Sequence, residues 1–248
     1  MSDTALTRRE RQRQATLDEI VGVARELLRE PSGLSLRAVA QKMGITAPAL
    51  YRYVDNVQDL QQLVADDIDE ETGALLEQAR DSQPDDDPAA QIIVAAIVFR
   101  RWALAHREEF GLVFANPLVA HADPEDLKEQ KVGLVFTDLL IKLWRKYDFP
   151  VPALDQIDPA VVATFEDPHI PAKLENIPEH AKGLLWVFMQ SWVALYGTVT
   201  LEVFGHCDPR VIESGALFRA MLAQQSEQLG ISHELPRLLP LIEEQLSR

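Results

Sequence analysis

Apolar residues recur along this chain at intervals of three and four, the spacing of one helix face. Leu17, Ile20, Val21, Ala24, Leu27 and Leu28 predict a first helix over roughly Arg9–Glu30, ended by Pro31-Ser32-Gly33. Leu36, Val39, Ala40 and Met43 mark a short second helix, with Ser35 placed as its N-cap, a contribution of ~1 kcal/mol. Gly44 ends it, and a third short helix follows with Pro48 near its start. Asn56 is placed to cap a fourth helix carrying Leu60, Leu63, Val64, Ile68, Leu75 and Leu76.

The stretch Asp81–Pro88 (DSQPDDDP) reads as a loop. Beyond it the proline-free stretches Ala89–Asn116, Glu125–Phe149, Glu179–Asp208 and Arg210–Leu235 suit long helices. The proline-rich region from Pro150 to Pro178 contains one short piece, Val161–Phe165, that could pass for a strand, too short to build a sheet. The expected fold class is all-α. A three-helix DNA-binding domain over residues 1–55 precedes a larger helical ligand-binding and dimerisation domain over residues 56–248.

Composition changes the picture in three places. The chain has 248 residues, 47% of them hydrophobic, enough for a sizeable core. No apolar run is expected to reach membrane-spanning length, and the arginines at 8, 9, 11 and 13 lead into no signal-peptide core, so the expected compartment is the cytoplasm, with no membrane partner. One cysteine, Cys207, excludes an intrachain disulfide. The net charge of -15 argues against nucleic acid until its distribution is considered. Residues 1–55 carry 9 Lys/Arg against 7 Asp/Glu, and all the acidic excess lies beyond them. An acidic body would face away from phosphate and leave the basic head to meet it.

Two short helices joined through a glycine outline a helix-turn-helix, whose second helix can enter a major groove. A recognition helix over about Ala47–Tyr53 would offer Thr46, Tyr51 and Tyr53 hydroxyls to phosphate oxygens. Arg52 is the side chain there able to contact guanine bidentately, with a phosphate as its alternative partner, and Ala47, Pro48 and Ala49 present small apolar surface near base edges. Arg37, at the start of the second helix, would reach backbone or base, and the segment Arg8–Arg13 would act as a flexible basic arm in an adjacent groove. The competing readings are a buried Tyr51, a solvent-facing Arg52 and a merely solubilising arm; Met43, Leu50 and Val54 are expected in the core.

With Gly44, Ile45, Thr46, Leu50, Tyr51, Tyr53, Asn56 and Leu60 at these spacings, the sequence over about Thr16–Leu63 resembles the Tet repressor family of bacterial transcription regulators. Val54 stands where that family usually has phenylalanine, and Val57 where it often has lysine. Trp192–His206 (WVALYGTVTLEVFGH) resembles a C-terminal type named for tryptophan, histidine and glycine, with Tyr196 in place of the histidine. The resemblance implies a small-molecule inducer held in the body. Trp102, Phe110, Phe114, Phe136, Trp144, Phe165 and Trp192 are candidates to line its pocket, although most such rings serve as core. Asp67 and Glu71, four apart on the fourth helix, would select a cationic ligand; the plainer alternative is a solvated acidic face.

One head covers few base pairs, so a homodimer on a pseudo-palindromic operator in double-stranded DNA is expected. Two helices over about Glu179–Phe204 and Pro209–Leu229 would form a four-helix bundle with a partner. Trp186, Met189, Val193 and Tyr196 are contact candidates on the first, and Leu217, Ala220 and Met221 on the second; all could instead be internal core. The expected function is a ligand-responsive repressor that needs no cofactor or metal. A transcriptional activator would use the same DNA contacts, and a helical protein-interaction adaptor would lack steep salt dependence. An enzyme is disfavoured because no GxSxG, phosphate-cradling glycine loop or HExxH occurs, and His206-Cys207-Asp208 reads as ordinary loop.

Overall fold

A computed structural model describes residues 7–30, 33–116, 130–166, 168, 170–172 and 177–247. Helices are numbered here in chain order among those residues: α1 (Arg8–Leu28), α2 (Leu36–Met43), α3 (Ala47–Leu50), α4 (Val57–Asp81), α5 (Pro88–Ala105), α6 (Arg107–Ala115), α7 (Lys131–Tyr147), α8 (Pro159–Val162), α9 (Leu184–Val203), α10 (Pro209–Ser214), α11 (Ala216–Gln228) and α12 (Leu235–Leu246). No strand occurs among the described residues, and the fold is all-α. Val161–Phe165, the one strand-like piece, is the end of α8 and a 3-10 turn.

The chain packs as two compact units, Met1–Ile68 with Glu108–Ala122, and Asp69–Arg107 with Asp123–Arg248. In the first, α1 packs on α2 and α2 on α3. Ile20, Val21, Ala24 and Leu27 of α1 are buried with Val39, Ala40, Leu50 and Val54. Met43, expected in this core, is half-buried. Asn56 caps α4 as its sequence position predicts: its Oδ1 accepts from the backbone N–H of Gln58 at 2.8 Å and of Asp59 at 3.0 Å.

The second unit is organised around α5. This helix is predominantly apolar and mostly buried, with Arg101 exposed, and it packs against α7, α9 and α12. Two of its polar residues, Gln91 and Arg100, are buried. Gln91 Nε2 donates to the carbonyl of Pro84 at 3.0 Å. Arg100 donates to Glu202 of α9 at 2.6 and 3.3 Å and to the carbonyl of Ile212 at 2.7 Å. The acidic loop before α5 is tied down: Asp85 meets Lys142 at 3.1 Å, the Asp86 carbonyl accepts from Lys146, and Asp87 accepts from Arg237 at 2.6 and 3.0 Å while capping α5.

Three sequence expectations need correction. The stretch Ala89–Asn116 is two helices, broken at His106, and Pro209–Leu229 is two, broken at Gly215 with φ of 63°. Two helical segments are, by length and composition, apolar enough to span a membrane: Pro88–Ala105, 78% of it buried inside the protein, and Glu179–Val203, 33% buried. Their apolar character is divided differently, since α5 is enclosed by its own unit whereas α9 leaves Val193, Leu201 and the adjoining Phe204 exposed.

Candidate nucleic-acid interface

Ser35 starts α2 by accepting from the Ala38 N–H at 3.2 Å. At its other end Gly44 adopts φ of 69°, the Gly44 N–H donates to Gln41 and the Ile45 N–H to Ala40. This pair of bonds satisfies two carbonyls that the helix end leaves open and turns the chain sharply. A Cβ at Gly44 would meet nothing within 4 Å, so the glycine answers to the backbone conformation alone. The turn delivers Thr46, whose side chain makes no capping hydrogen bond and stays exposed at the start of α3.

The regular part of α3 is only Ala47–Leu50, shorter than the Ala47–Tyr53 expected; Tyr51–Tyr53 continue it as turns, with the Tyr53 N–H bonded to the Leu50 carbonyl at 2.9 Å. Leu50 and Val54 anchor this piece in the core. Ala47, Pro48 and Arg52 are exposed, Ala49 is half-buried, and Tyr51 is 51% exposed, which removes the buried-tyrosine alternative. Val57, where the family often has lysine, is exposed and contributes no charge.

The basic residues here divide into two sets. Lys42 is engaged by Glu30 at 2.8 Å and Glu26 at 3.0 Å, which hold its ammonium above the usual lysine range. Arg25 and Arg29 bind Glu109. By contrast, Arg37 and Arg52 have no acidic partner among the described residues. Arg37 sits in the first turn of α2, where a helix dipole disfavours a cation, so local stability does not explain it.

The segment Arg8–Arg13 is not a flexible arm. It is the exposed start of α1, opened by a capping box in which Thr7 and Glu10 bond each other's backbone N–H. Arg13 turns into the site: its guanidinium lies 5.4 Å from the centre of the Tyr53 ring and donates to the Arg52 carbonyl at 3.4 Å. Tyr53 is therefore half-buried and braced, a contact that no local spacing in the sequence signals.

The pocket and dimer candidates are scattered. Trp102, Phe136 and Trp192 do come together in the larger unit, around Phe99, with ring centres 5.9–6.3 Å apart. Trp192 also stacks on Tyr196 at 5.8 Å. Phe110 and Phe114 pair at 5.1 Å in the smaller unit, and Trp144 lies 6.2 Å from His180. Phe165 lines a surface groove of about 480 Å³, with Leu154, Ile157, Val162 and Lys182 among its walls. Asp67 is bound by Arg25 at 3.0 Å, so its carboxylate serves the fold; Glu71 is exposed. Its neighbours behave similarly: Asp69 accepts from the Lys131 N–H at 2.5 Å and the Val132 N–H at 3.3 Å, and Glu70 pairs with Lys131. Of the dimer candidates, Val193 is 68% exposed, and Trp186, Met189, Tyr196 and Leu217 are half-buried. Ala220 is exposed, whereas Met221 is core. Asp208 caps α10 and binds Arg210, and no group of three metal-ligating side chains occurs among the described residues.

Comparison with known proteins accords with this head. A family profile described as "Tetracyclin repressor-like, C-terminal domain" matches residues 92–225. The chain is 25% identical over 198 residues to the HTH-type transcriptional regulators Rv1816 of Mycobacterium tuberculosis and Mb1846 of Mycobacterium bovis, covering 76% of this chain and 80% of each relative. The crystal structure of a putative regulatory protein, SCO4313, superposes with a TM-score of 0.61 at 26% identity, over 88% of this chain and 98% of that one. With its helix-turn-helix in place and more than half its length matched by the family profile, this chain belongs to the Tet repressor family of transcription regulators.

Proposed function

We propose that the protein is a ligand-responsive repressor that binds a pseudo-palindromic operator as a homodimer and is released by a small-molecule inducer. Residues 1–55 read the DNA, and residues 56–248 hold the effector and the partner subunit. The observation that carries the reading is the exposed cluster Arg37, Thr46, Ala47, Pro48, Tyr51 and Arg52, held by a buried anchor at Leu50 and Val54, with no carboxylate partner for its two arginines among the described residues. Thr46, Tyr51 and Tyr53 hydroxyls donate to phosphates, while Arg52 and the small face of α3 meet base edges.

The dimer reading rests on α9, whose residues Val193 and Leu201 are 68% and 43% exposed, followed by Phe204 at 44%. An apolar stripe of this kind is covered when a second copy lays its own α9 and α11 against it. The effector reading is supported by the aromatic group around Trp192, half-buried among larger-unit helices. Selection from a random DNA pool tests the whole: wild type enriches a two-fold related motif that Tyr51→Ala loses. No enrichment at low salt, or binding that does not weaken as salt rises, would favour a protein-interaction adaptor instead.

A further inference from the structure

The segment that carries the reading side chains is short of internal support. Its regular helix, α3, is four residues long, and Tyr51–Tyr53 follow it as turns. A single turn has little stability of its own, because fixing its backbone costs more than its few hydrogen bonds return. Tethers to the rest of the smaller unit must hold it. On the inner side these are Leu50 and Val54, 1% and 4% exposed. On the outer side the tether is Arg13 of α1, 39 positions before Arg52. Its Nη1 donates to the Arg52 carbonyl at 3.4 Å, and its Cζ lies 5.4 Å from the centre of the Tyr53 ring. One guanidinium thus holds two consecutive residues, one by its backbone and the next by its ring. The buried stripe of α1 begins at Ile20, so Arg13 stands apart from the packing of α1 on α2.

We propose that Arg13 is a positioning residue that sets how sharply Arg52 discriminates between bases. A bidentate contact with guanine needs two guanidinium nitrogens aligned with O6 and N7 together. The direction in which the Arg52 side chain leaves the backbone is set by the peptides on either side of it, and Arg13 bonds the carbonyl of one of them. The cation against the Tyr53 ring fixes the residue that follows. Without this brace, Arg52 takes up orientations that meet the correct base and its competitors alike. Specificity at one base pair then falls, while the attraction of the head to phosphate is unchanged. This inference rests on the DNA-reading function proposed above.

The test uses the full-length chain. Random-pool selection with wild type gives the operator motif, and selection with Arg52→Ala identifies the base pair that Arg52 reads. Fluorescence anisotropy then measures binding to the selected operator and to operators altered at that pair, across a salt series. The proteins compared are wild type, Arg13→Met, Arg13→Lys, Arg52→Ala and the double variant of Arg13→Met with Arg52→Ala. Arg13→Met is expected to lose roughly two- to fivefold of the discrimination at that pair, the reach of an exposed cation–ring contact, with an unchanged salt slope. The double variant is expected to match Arg52→Ala there, because Arg13 acts through Arg52. Arg13→Lys keeps a cation for the ring and is expected to retain most of the wild-type discrimination. A salt slope lowered by about 0.9 in Arg13→Met would put the Arg13 guanidinium on a phosphate and overturn the proposal. Wild-type discrimination in Arg13→Met, a further loss in the double variant, or an Arg13→Lys as indiscriminate as Arg13→Met would also overturn it, as would an Arg52→Ala that relaxes no base pair. If wild type selects no motif, the DNA-reading function itself falls, and this inference falls with it.

Discussion

Replacing Glu202 with Gln tests the energetics of the larger unit. Glu202 is fully buried, and the side chain of its partner Arg100 is 9% exposed. Removing the carboxylate charge leaves a guanidinium inside the protein with only neutral partners: the glutamine amide oxygen, the Ile212 carbonyl at 2.7 Å and the face of Phe218, 5.4 Å from Cζ to the ring centre. Breaking a buried pair from one side typically costs about 3–5 kcal/mol. The surviving carbonyl bond and ring contact place this case at the lower end, about 3 kcal/mol. For a chain of this length that corresponds to a fall in melting temperature of roughly 6–12 °C. Thermal unfolding followed by circular dichroism reads the change, and urea unfolding supplies an independent free energy. Replacing both partners, Arg100→Met with Glu202→Leu, should recover most of the loss, because the penalty comes from the unpaired charge. A loss under about 1 kcal/mol in Glu202→Gln would mean that water reaches Arg100. A double variant as unstable as the single one would refute the electrostatic account.

Four further outcomes follow from the structure. Arg37→Ala should lower the salt dependence of operator binding by about 0.9 in log–log slope if it meets one phosphate, whereas Arg52→Ala should cost about 1–3 kcal/mol and relax preference at one base pair. Both are measured by fluorescence anisotropy across a salt series, and equal slopes in all three proteins would contradict the division of roles. Gly44→Ala should destabilise the head by about 1–2 kcal/mol in denaturant unfolding, since its φ of 69° strains any side chain; no loss would mean that the turn relaxes. Asp87 is held below the usual carboxylate range chiefly by its bonds to Arg237. Because the folded value is the depressed one, its stabilisation is present above the unfolded value of about 3.9 and disappears as pH falls through the folded value. Asp87→Asn should thus be less stable at neutral pH and lose less on acidification, and parallel wild-type and variant profiles would exclude this linkage. Val193→Glu should shift sedimentation toward monomer and weaken operator binding, and an unchanged species would place the dimer surface elsewhere.

The head was legible from sequence because its signals are local. Ser35, Gly44 and Asn56 each cap or turn the backbone within a few residues of themselves, and Leu50 with Val54 anchors α3 at helical spacing. The absence of proline also located the stretches that contain α5 and α9, without the break at His106. What stayed hidden depends on partners far along the chain. Glu109 lies 80 and more residues from the arginines that bind it, and Arg100 lies 102 residues from Glu202. Nothing in the local pattern distinguishes these buried charges from surface ones. The acidic run of α4 misled for the same reason, since Asp67 and Asp69 look solvated until Arg25 and the start of α7 are brought to them. Arg8–Arg13 looked like an arm because charge density suggests solvation, yet Thr7 and Glu10 suffice to start a helix there.

The Asp69 carboxylate has a consequence for how the protein can change over time. It accepts the N–H groups of Lys131 and Val132, two of the donors that the first turn of α7 leaves open. The start of α7 is thus held by a residue about sixty positions upstream, and α6 has its own attachment at Glu109. A change at Asp69 should therefore be felt first at the start of α7, a helix it does not belong to, so what this position can become is limited by a partner far along the chain rather than by its own helix.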